Sequence, residues 1–200
     1  MFPYKTISEI MLQAERENIY LPFSDNVKVL QESIQIDGNF IPNRIVIQPM
    51  EGCDGTREGK PDQYTIRRYE RFANSGAGLI WEEATAILEE GRANPFQLWI
   101  NKDNIDDFRA MNERIREISI KKFGFAPKII MQATHSGRYS KPNGFAMPLI
   151  AYHNAVLEEN QSISSECIVT DDYLKKLIER YGEAAHEAEL VYPSVINSTF

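Results

Sequence analysis

Long apolar runs are missing from this chain, cysteine is scarce, and acidic residues outnumber basic ones, 29 to 22. Met1–Tyr20 is mixed and charged, so neither a signal peptide nor a membrane span is expected, and a cytoplasmic setting is the default. The two cysteines, Cys53 and Cys167, lie far apart and form no CxxC, which argues against a disulfide framework or a zinc site. The net charge of −7 argues against a nucleic-acid footprint, which needs a clustered basic face. The one basic cluster, Arg67, Arg68 and Arg71, shares its segment with Glu70 and reads as a solvated helix face. No GxGxxG fingerprint follows the first predicted strand, which weakens a dinucleotide-binding doubly wound sheet without excluding it.

What is present is a repeating plan. With 42% hydrophobic residues in 200, the chain is long enough for one substantial core. Three stretches have the form strand, loop, helix: Asn43–Asn74, Ala77–Lys122 and Lys128–Leu190. That order implies a parallel sheet with right-handed crossovers. A parallel β/α barrel has eight such units in about 250 residues. The expected fold is therefore α/β: a partial (β/α)8 TIM barrel of about the first three to four βα units, with an N-terminal extension over residues 1–42 and the barrel portion over 43–190.

In the extension, Ile7–Arg16 reads as a short amphipathic helix. Lys28–Gln35 reads as a strand running into a turn at Asp37-Gly38-Asn39, with a return strand near Phe40; such a hairpin would plug a barrel floor. Arg44–Ile47 is a short apolar run of the kind buried on both faces. The next strands are Ala77–Trp81 and Lys128–Gln132, and the helices are Gln63–Asn74, Ile105–Lys122 and a last one capped by Thr170. Gly76 and Gly124 suit left-handed helix stops. Asp106 and Asp107, with Lys121 and Lys122, match the dipole of the second helix. More than thirty residues separate the third strand from its helix, and loops of that length are usually functional. After Leu190 no glycine turn follows, so residues 191–200 read as an aberrant or truncated tail; a short fourth strand at Ser194–Ile196 is the competing reading.

In a barrel, chemistry sits at the C-terminal strand ends. Here those are Gln48–Cys53, Glu82–Thr85 and Gln132–Arg138. Adjacent strand residues point to opposite faces, so Glu82 and Glu83 make a poor facing pair for a glycosidase, which needs two carboxylates across a sugar bond. His135 is a candidate for a direct role, although a single histidine at a strand end is more often orienting. Arg138 is expected to pair with a nearby carboxylate, and Cys53 is a candidate redox-sensing thiol.

The set Asn43–Met50, then Gly76–Ile80 with Glu83–Ala86 and Glu90–Arg92, then Gln132 with His135–Arg138 resembles the Old Yellow Enzyme family, the flavin-dependent NADH:flavin oxidoreductases and ene-reductases. The resemblance covers about Asn43–Arg138 well and Thr170–Leu190 more loosely. It implies an FMN at the barrel mouth, NADH or NADPH as electron donor, and a small-molecule acceptor such as an activated alkene. It further implies that the Gln48, Pro49, Met50 and Glu51 backbone lines the flavin, that Ala84 offers a backbone contact, and that Gln132 reaches the pyrimidine edge. A glutamine amide carries both donor and acceptor, which suits that edge. No metal site is implied. The family's substrate-activating pair after strand four, and its phosphate-holding segments from strands seven and eight, have no counterpart here. Activity of these residues alone is therefore open. A non-catalytic fragment that self-associates through unpaired strand edges, as a homo-oligomer, is the alternative; another TIM-barrel enzyme such as a glycosidase is a third reading.

Overall fold

The structure is a computed structural model and describes residues 3–24, 26–36, 38–160 and 162–191. The elements in chain order are helix α1 (Ile7–Arg16), strands β1 (Ile34–Ile36), β2 (Asn39–Ile41) and β3 (Val46–Ile47), helix α2 (Gln63–Ala73), strand β4 (Leu79–Ala86), helix α3 (Ile105–Phe123), strand β5 (Lys128–Thr134) and helix α4 (Asp171–Val191).

The three later strands form one parallel sheet in the order β3-β4-β5, pairing Val46 with Leu79 and Leu79 with Lys128. Each helix has a sequence reason to begin where it does. Asp62 and Thr65 form a capping box at α2 and the Thr170 hydroxyl accepts the Tyr173 N–H, satisfying donors a helix start leaves free. Gly124 ends α3 at φ +78°, a left-handed conformation that side chains resist. The three helices cover one sheet face: Tyr69 and Ala73, Phe108, Met111 and Ile115, and Ala184 and Ala188 pack on Ile80, Ile129 and Met131.

The opposite face is occupied at one end by the β1–β2 hairpin. Ile34 pairs with Ile41, and Ile41 packs with Leu79 and Ile130, with Ile34 and Trp81 alongside. The hairpin thus meets the beginning of β4; Asp37 lies outside the described residues.

Several expectations need correction. Lys28–Gln31 is a 3-10 turn rather than the start of a strand. The first sheet strand is two residues long and not buried on both faces, for Ile45 and Val46 are 41% and 51% exposed. It is the edge of the sheet among the described residues, and Pro49, with no N–H, cannot extend the ladder. β4 runs on to Ala86, and Leu98–Ile100 folds back beside its end, with Ala86 N–H donating to Leu98 O and Ile100 N–H to Ala86 O. The tail reading falls outside the described residues from Tyr192 on; Val191 belongs to α4 and is buried in the core.

Candidate functional site

Because β3, β4 and β5 are parallel and hydrogen-bonded in sequence order, their C-terminal ends lie at one end of the sheet. Side-chain parity sets what faces away from the helices. Ile129 and Met131 join the helix-side core, and Ile130 joins the hairpin side. Gln132 therefore shares the face of Ile130, and Ala84 is its register partner on β4. The Gln132 amide makes no hydrogen bond among the described residues, and its register partner Ala84 carries only a methyl group. The buried indole N–H of Trp81 likewise lacks a hydrogen-bond partner.

Between Trp81 and Ala84 the register slips: β4 has two residues where β5 has one, Met131. Such an irregularity re-aims side chains. Here it overturns the expected opposition of Glu82 and Glu83. Both are buried, and both face helix residues electrostatically, Glu82 acting on Tyr69 and Arg116, Glu83 on Arg68 and Tyr69. Glu83 Oε1 accepts from Arg68 Nη2 at 2.6 Å and Oε2 accepts the Gly52 N–H at 2.9 Å. A carboxylate so engaged is no free partner for an open acid–base pair.

Arg68 is the departure from the expected solvated cluster. Arg67 and Arg71 are exposed, whereas Arg68 Nη2 also holds Asp54 Oδ1 at 2.7 Å. Its hydrogen bonds to Asp54 and Glu83 outweigh burial and push its pKa up, and hydrogen bonds from Arg68 and Thr65 bring Asp54 below the usual carboxylate range despite desolvation. Met50 and Glu51 are exposed and Pro49 half-buried. Desolvation, then the charge of Glu83, raises the Glu51 carboxyl. Desolvation also raises the Cys53 thiol, helped by Glu51 and Glu83. A thiol among carboxylates holds little thiolate at neutral pH, which disfavours a redox-sensing role.

His135 is fully engaged. Nδ1 accepts the Gly137 N–H at 3.1 Å and Nε2 meets the Tyr173 hydroxyl at 2.9 Å, which donates to Glu90 at 3.3 Å. With Nδ1 accepting, the proton belongs on Nε2. Burial lowers the His135 pKa, and the charge of Glu90 offsets that only partly. Gly91 is packed on the ring so closely that a Cβ there would lie 2.5 Å from Cδ2. Arg138 pairs with Glu158 at 2.7 Å, as expected. Glu158, which also takes the Asn154 N–H and faces His153, is held down to about 2 by those hydrogen bonds, the Asn154 backbone first.

Two residues that organise this end were not visible beforehand. Buried Gln97 receives the Ala93 N–H at 2.6 Å and donates to Ala84 O at 3.0 Å and toward Thr134 Oγ1 at 3.4 Å. Arg180 of α4 donates to the carbonyls of Ile87 and Ile100, each at 2.8 Å. Neither belongs to a local pattern, since both act across the fold. A cavity of about 680 Å³ lies elsewhere, lined by Arg57, Lys60, Trp99 and Asp107 among others. Among the described residues no cluster of His, Cys, Asp and Glu could hold a metal ion, and no helix is long and apolar enough to cross a membrane.

Residues 30–190 match the NADH:flavin oxidoreductase / NADH oxidase family. The chain belongs to this family. Similar curated proteins include an NADH:acrylate oxidoreductase of Vibrio harveyi, 30% identical over 82% of this chain and 16% of that protein, and an NADPH dehydrogenase of Bacillus pumilus, 28% identical over 77% of this chain and 43% of that protein. The chain thus spans less than half the length of these relatives. Among solved structures, morphinone reductase in complex with tetrahydroNAD superposes with a TM-score of 0.63 at 19% identity, covering 81% of this chain and 46% of that one. The Old Yellow Enzyme homologue of Zymomonas mobilis gives 0.62 at 21% identity, covering 80% and 44%. These likenesses show the fold: the three βα units follow the path of the family's barrel enzymes.

Proposed function

We propose that residues 43–190 are the N-terminal part of an FMN-binding barrel and form one wall of the cofactor site in an NAD(P)H-dependent oxidoreductase that reduces a small acceptor such as an activated alkene. The observation that carries this reading is the convergence of three parallel strand ends, with the uncommitted Gln132 amide beside Ala84 on the face away from the helices.

The residues fit the edge of a flat heterocycle. Gln132 would give it a donor and an acceptor. Ala84, with no side chain beyond a methyl, would let backbone approach the ring. Gln48, Pro49, Met50 and Glu51 would border it from β3. When bound, FMN would supply the hydride chemistry, which belongs to the cofactor, while the protein orients it and tunes it by hydrogen bonds. Gln97, holding the Ala84 carbonyl, would keep the β4 end in place. His135, with both nitrogens engaged and its neutral form favoured, would brace the loop after β5 rather than donate a proton. The test is to add FMN, then NADH or NADPH with an activated alkene, and follow a bound-flavin spectrum and nicotinamide oxidation. A bound flavin supports the reading; its absence from both this chain and a version extended to the length of its relatives would refute it.

A second reading is self-association. Val46 of β3, with Ile45 and Met50 flanking the strand, is exposed at a sheet edge that is open among the described residues, and an unpaired edge is a template for pairing. Size-exclusion chromatography decides it: a compact monomer at all concentrations counts against this idea.

A further inference from the structure

Pro49 ends the β3 ladder, so the sheet does not fix the residues that follow it. Among the described residues, the one side-chain hydrogen bond reaching residues 48–52 is that from the Gly52 N–H to Glu83 Oε2, 2.9 Å. Glu83 can supply it because the β4 irregularity turns its side chain toward α2. Glu83 is then held at its side chain and at its backbone. Arg68 Nη2 donates to Oε1 at 2.6 Å, and the Tyr69 hydroxyl accepts the Glu83 N–H at 2.8 Å. A Cβ at Gly52 would lie 2.2 Å from Arg68 Nη2, so a side chain there would have to displace the guanidinium from Asp54 and Glu83.

The next residues are clamped as well. Asp54 is gripped by Arg68 and by the Thr65 hydroxyl at 2.8 Å. Between the two clamps Cys53 adopts φ +50°, a left-handed conformation that costs free energy for a residue with a side chain and persists where its surroundings enforce it. Charge pair, close-packed glycine and strained residue all act on one backbone path.

We propose that Glu83 is a positioning residue that sets the course of the Gln48–Gly52 backbone, with Arg68 as its counter-charge and Gly52 as its point of contact. The proposal deepens the flavin reading and rests on it for its functional meaning, because this is the segment assigned to border the cofactor. Glu83 itself needs to touch neither cofactor nor substrate.

The test uses three variants in a Cys167→Ser background, which leaves Cys53 as the reporter thiol. Glu83→Gln keeps the shape and an acceptor for Gly52 but removes the charge. Glu83→Asp keeps the charge but withdraws it by one methylene. Glu83→Ala removes both. The readouts are Gly52 amide exchange by NMR, the pH profile of Cys53 modification by a neutral thiol reagent, and affinity for lumiflavin, the ring system without its phosphate. Glu83→Asp and Glu83→Ala are expected to speed Gly52 exchange at least about tenfold, with α3 amides unchanged, as in a local opening. Glu83→Gln is expected to keep Gly52 protected and to move the Cys53 profile to lower pH, since a neighbouring carboxylate is lost. Lumiflavin affinity should fall in the Asp and Ala variants and be rescued in Gln. Unchanged Gly52 exchange in Glu83→Asp, or Glu83→Gln as damaging as Glu83→Ala, would overturn the proposal. Should Glu83→Ala not fold, the Asp and Gln variants decide alone. Failure of the parent chain to bind lumiflavin would count against the flavin reading only, with Gly52 exchange and the Cys53 profile still deciding the positioning role.

Discussion

Replacing Arg180 by methionine should cost the fold about 3–5 kcal/mol. Arg180 lies within α4 with a side chain only 13% exposed. Its Nε and Nη2 donate to the carbonyls of Ile87 and Ile100, each at 2.8 Å, and Nη2 also meets Glu187 Oε2 at 2.7 Å. Methionine has a similar reach but no donor. Each hydrogen bond to a charged group contributes about 1.5–3 kcal/mol, and Glu187, 7% exposed, would be left buried without its cation. Removing one half of a buried ion pair costs about 3–5 kcal/mol. These contributions do not sum, because one guanidinium makes all three contacts. A cavity of about 300 Å³ beside Ile87, Arg180 and Glu187 is large enough to hold water, which would rehydrate part of what is exposed. The assays are urea and thermal unfolding, each followed by circular dichroism, with the double variant Arg180→Met/Glu187→Leu alongside. For a chain of this size 1 kcal/mol moves Tm by about 2–4 °C, so a fall of about 10 °C is expected. The double variant, with no orphaned charge, should be more stable than Arg180→Met alone. An Arg180→Met protein within about 1 kcal/mol of the parent, or a double variant less stable than the single one, would refute this reasoning.

Other outcomes follow from the same geometry. Gly91→Ala should displace the His135 ring, with overpacking costing about 1–3 kcal/mol, seen as lost His135–Tyr173 contact by NMR. His135 should be a neutral Nε2–H tautomer at pH 7 by nitrogen NMR; its pKa is lowered in the fold, so its contribution is present above the ordinary 6.5 and is lost as pH falls below it. An imidazolium at pH 7 would contradict this. Glu158 is held at about 2 against an ordinary 4.5, so the fold favours its ionised form. Its contribution is therefore complete above the ordinary value and lost as pH falls toward 2. Arg138→Gln should shift that loss of order in the loop after β5 to higher pH, read by amide exchange at Asn154. Phe108→Ala, which opens a cavity at a fully buried position, should cost about 3–5 kcal/mol by chemical denaturation.

Much of the scaffold was legible because periodicity reports burial. The α2 and α3 faces, the Gly124 stop and the hairpin turn each rest on local chemistry that a sequence displays. What was hidden depends on partners far along the chain. Glu82 and Glu83 look like a polar strand end, so β4 seemed to finish at Trp81. The slip opposite Met131 buries both carboxylates, and Arg68 makes that tolerable for Glu83. Arg68 resembled its solvated neighbours because nothing local distinguishes it. Arg44–Ile47 has the composition of a doubly buried strand but stands at a sheet edge, and composition does not record which strands are neighbours. At the candidate site, Gln132 and Ala84 were visible through motif resemblance, whereas Gln97 and Arg180 act through backbone carbonyls and leave no motif.

The proposed cofactor wall can be read in one experiment: an NMR titration of the labelled chain with lumiflavin. The wall requires that the Gln132 side-chain amide and the backbone amides of Met50, Glu51 and Ala84 shift together along one saturation curve, and that Gln132→Leu weakens that curve. Shifts confined to the cavity around Trp99, or a Gln132→Leu protein that binds as its parent does, would contradict it.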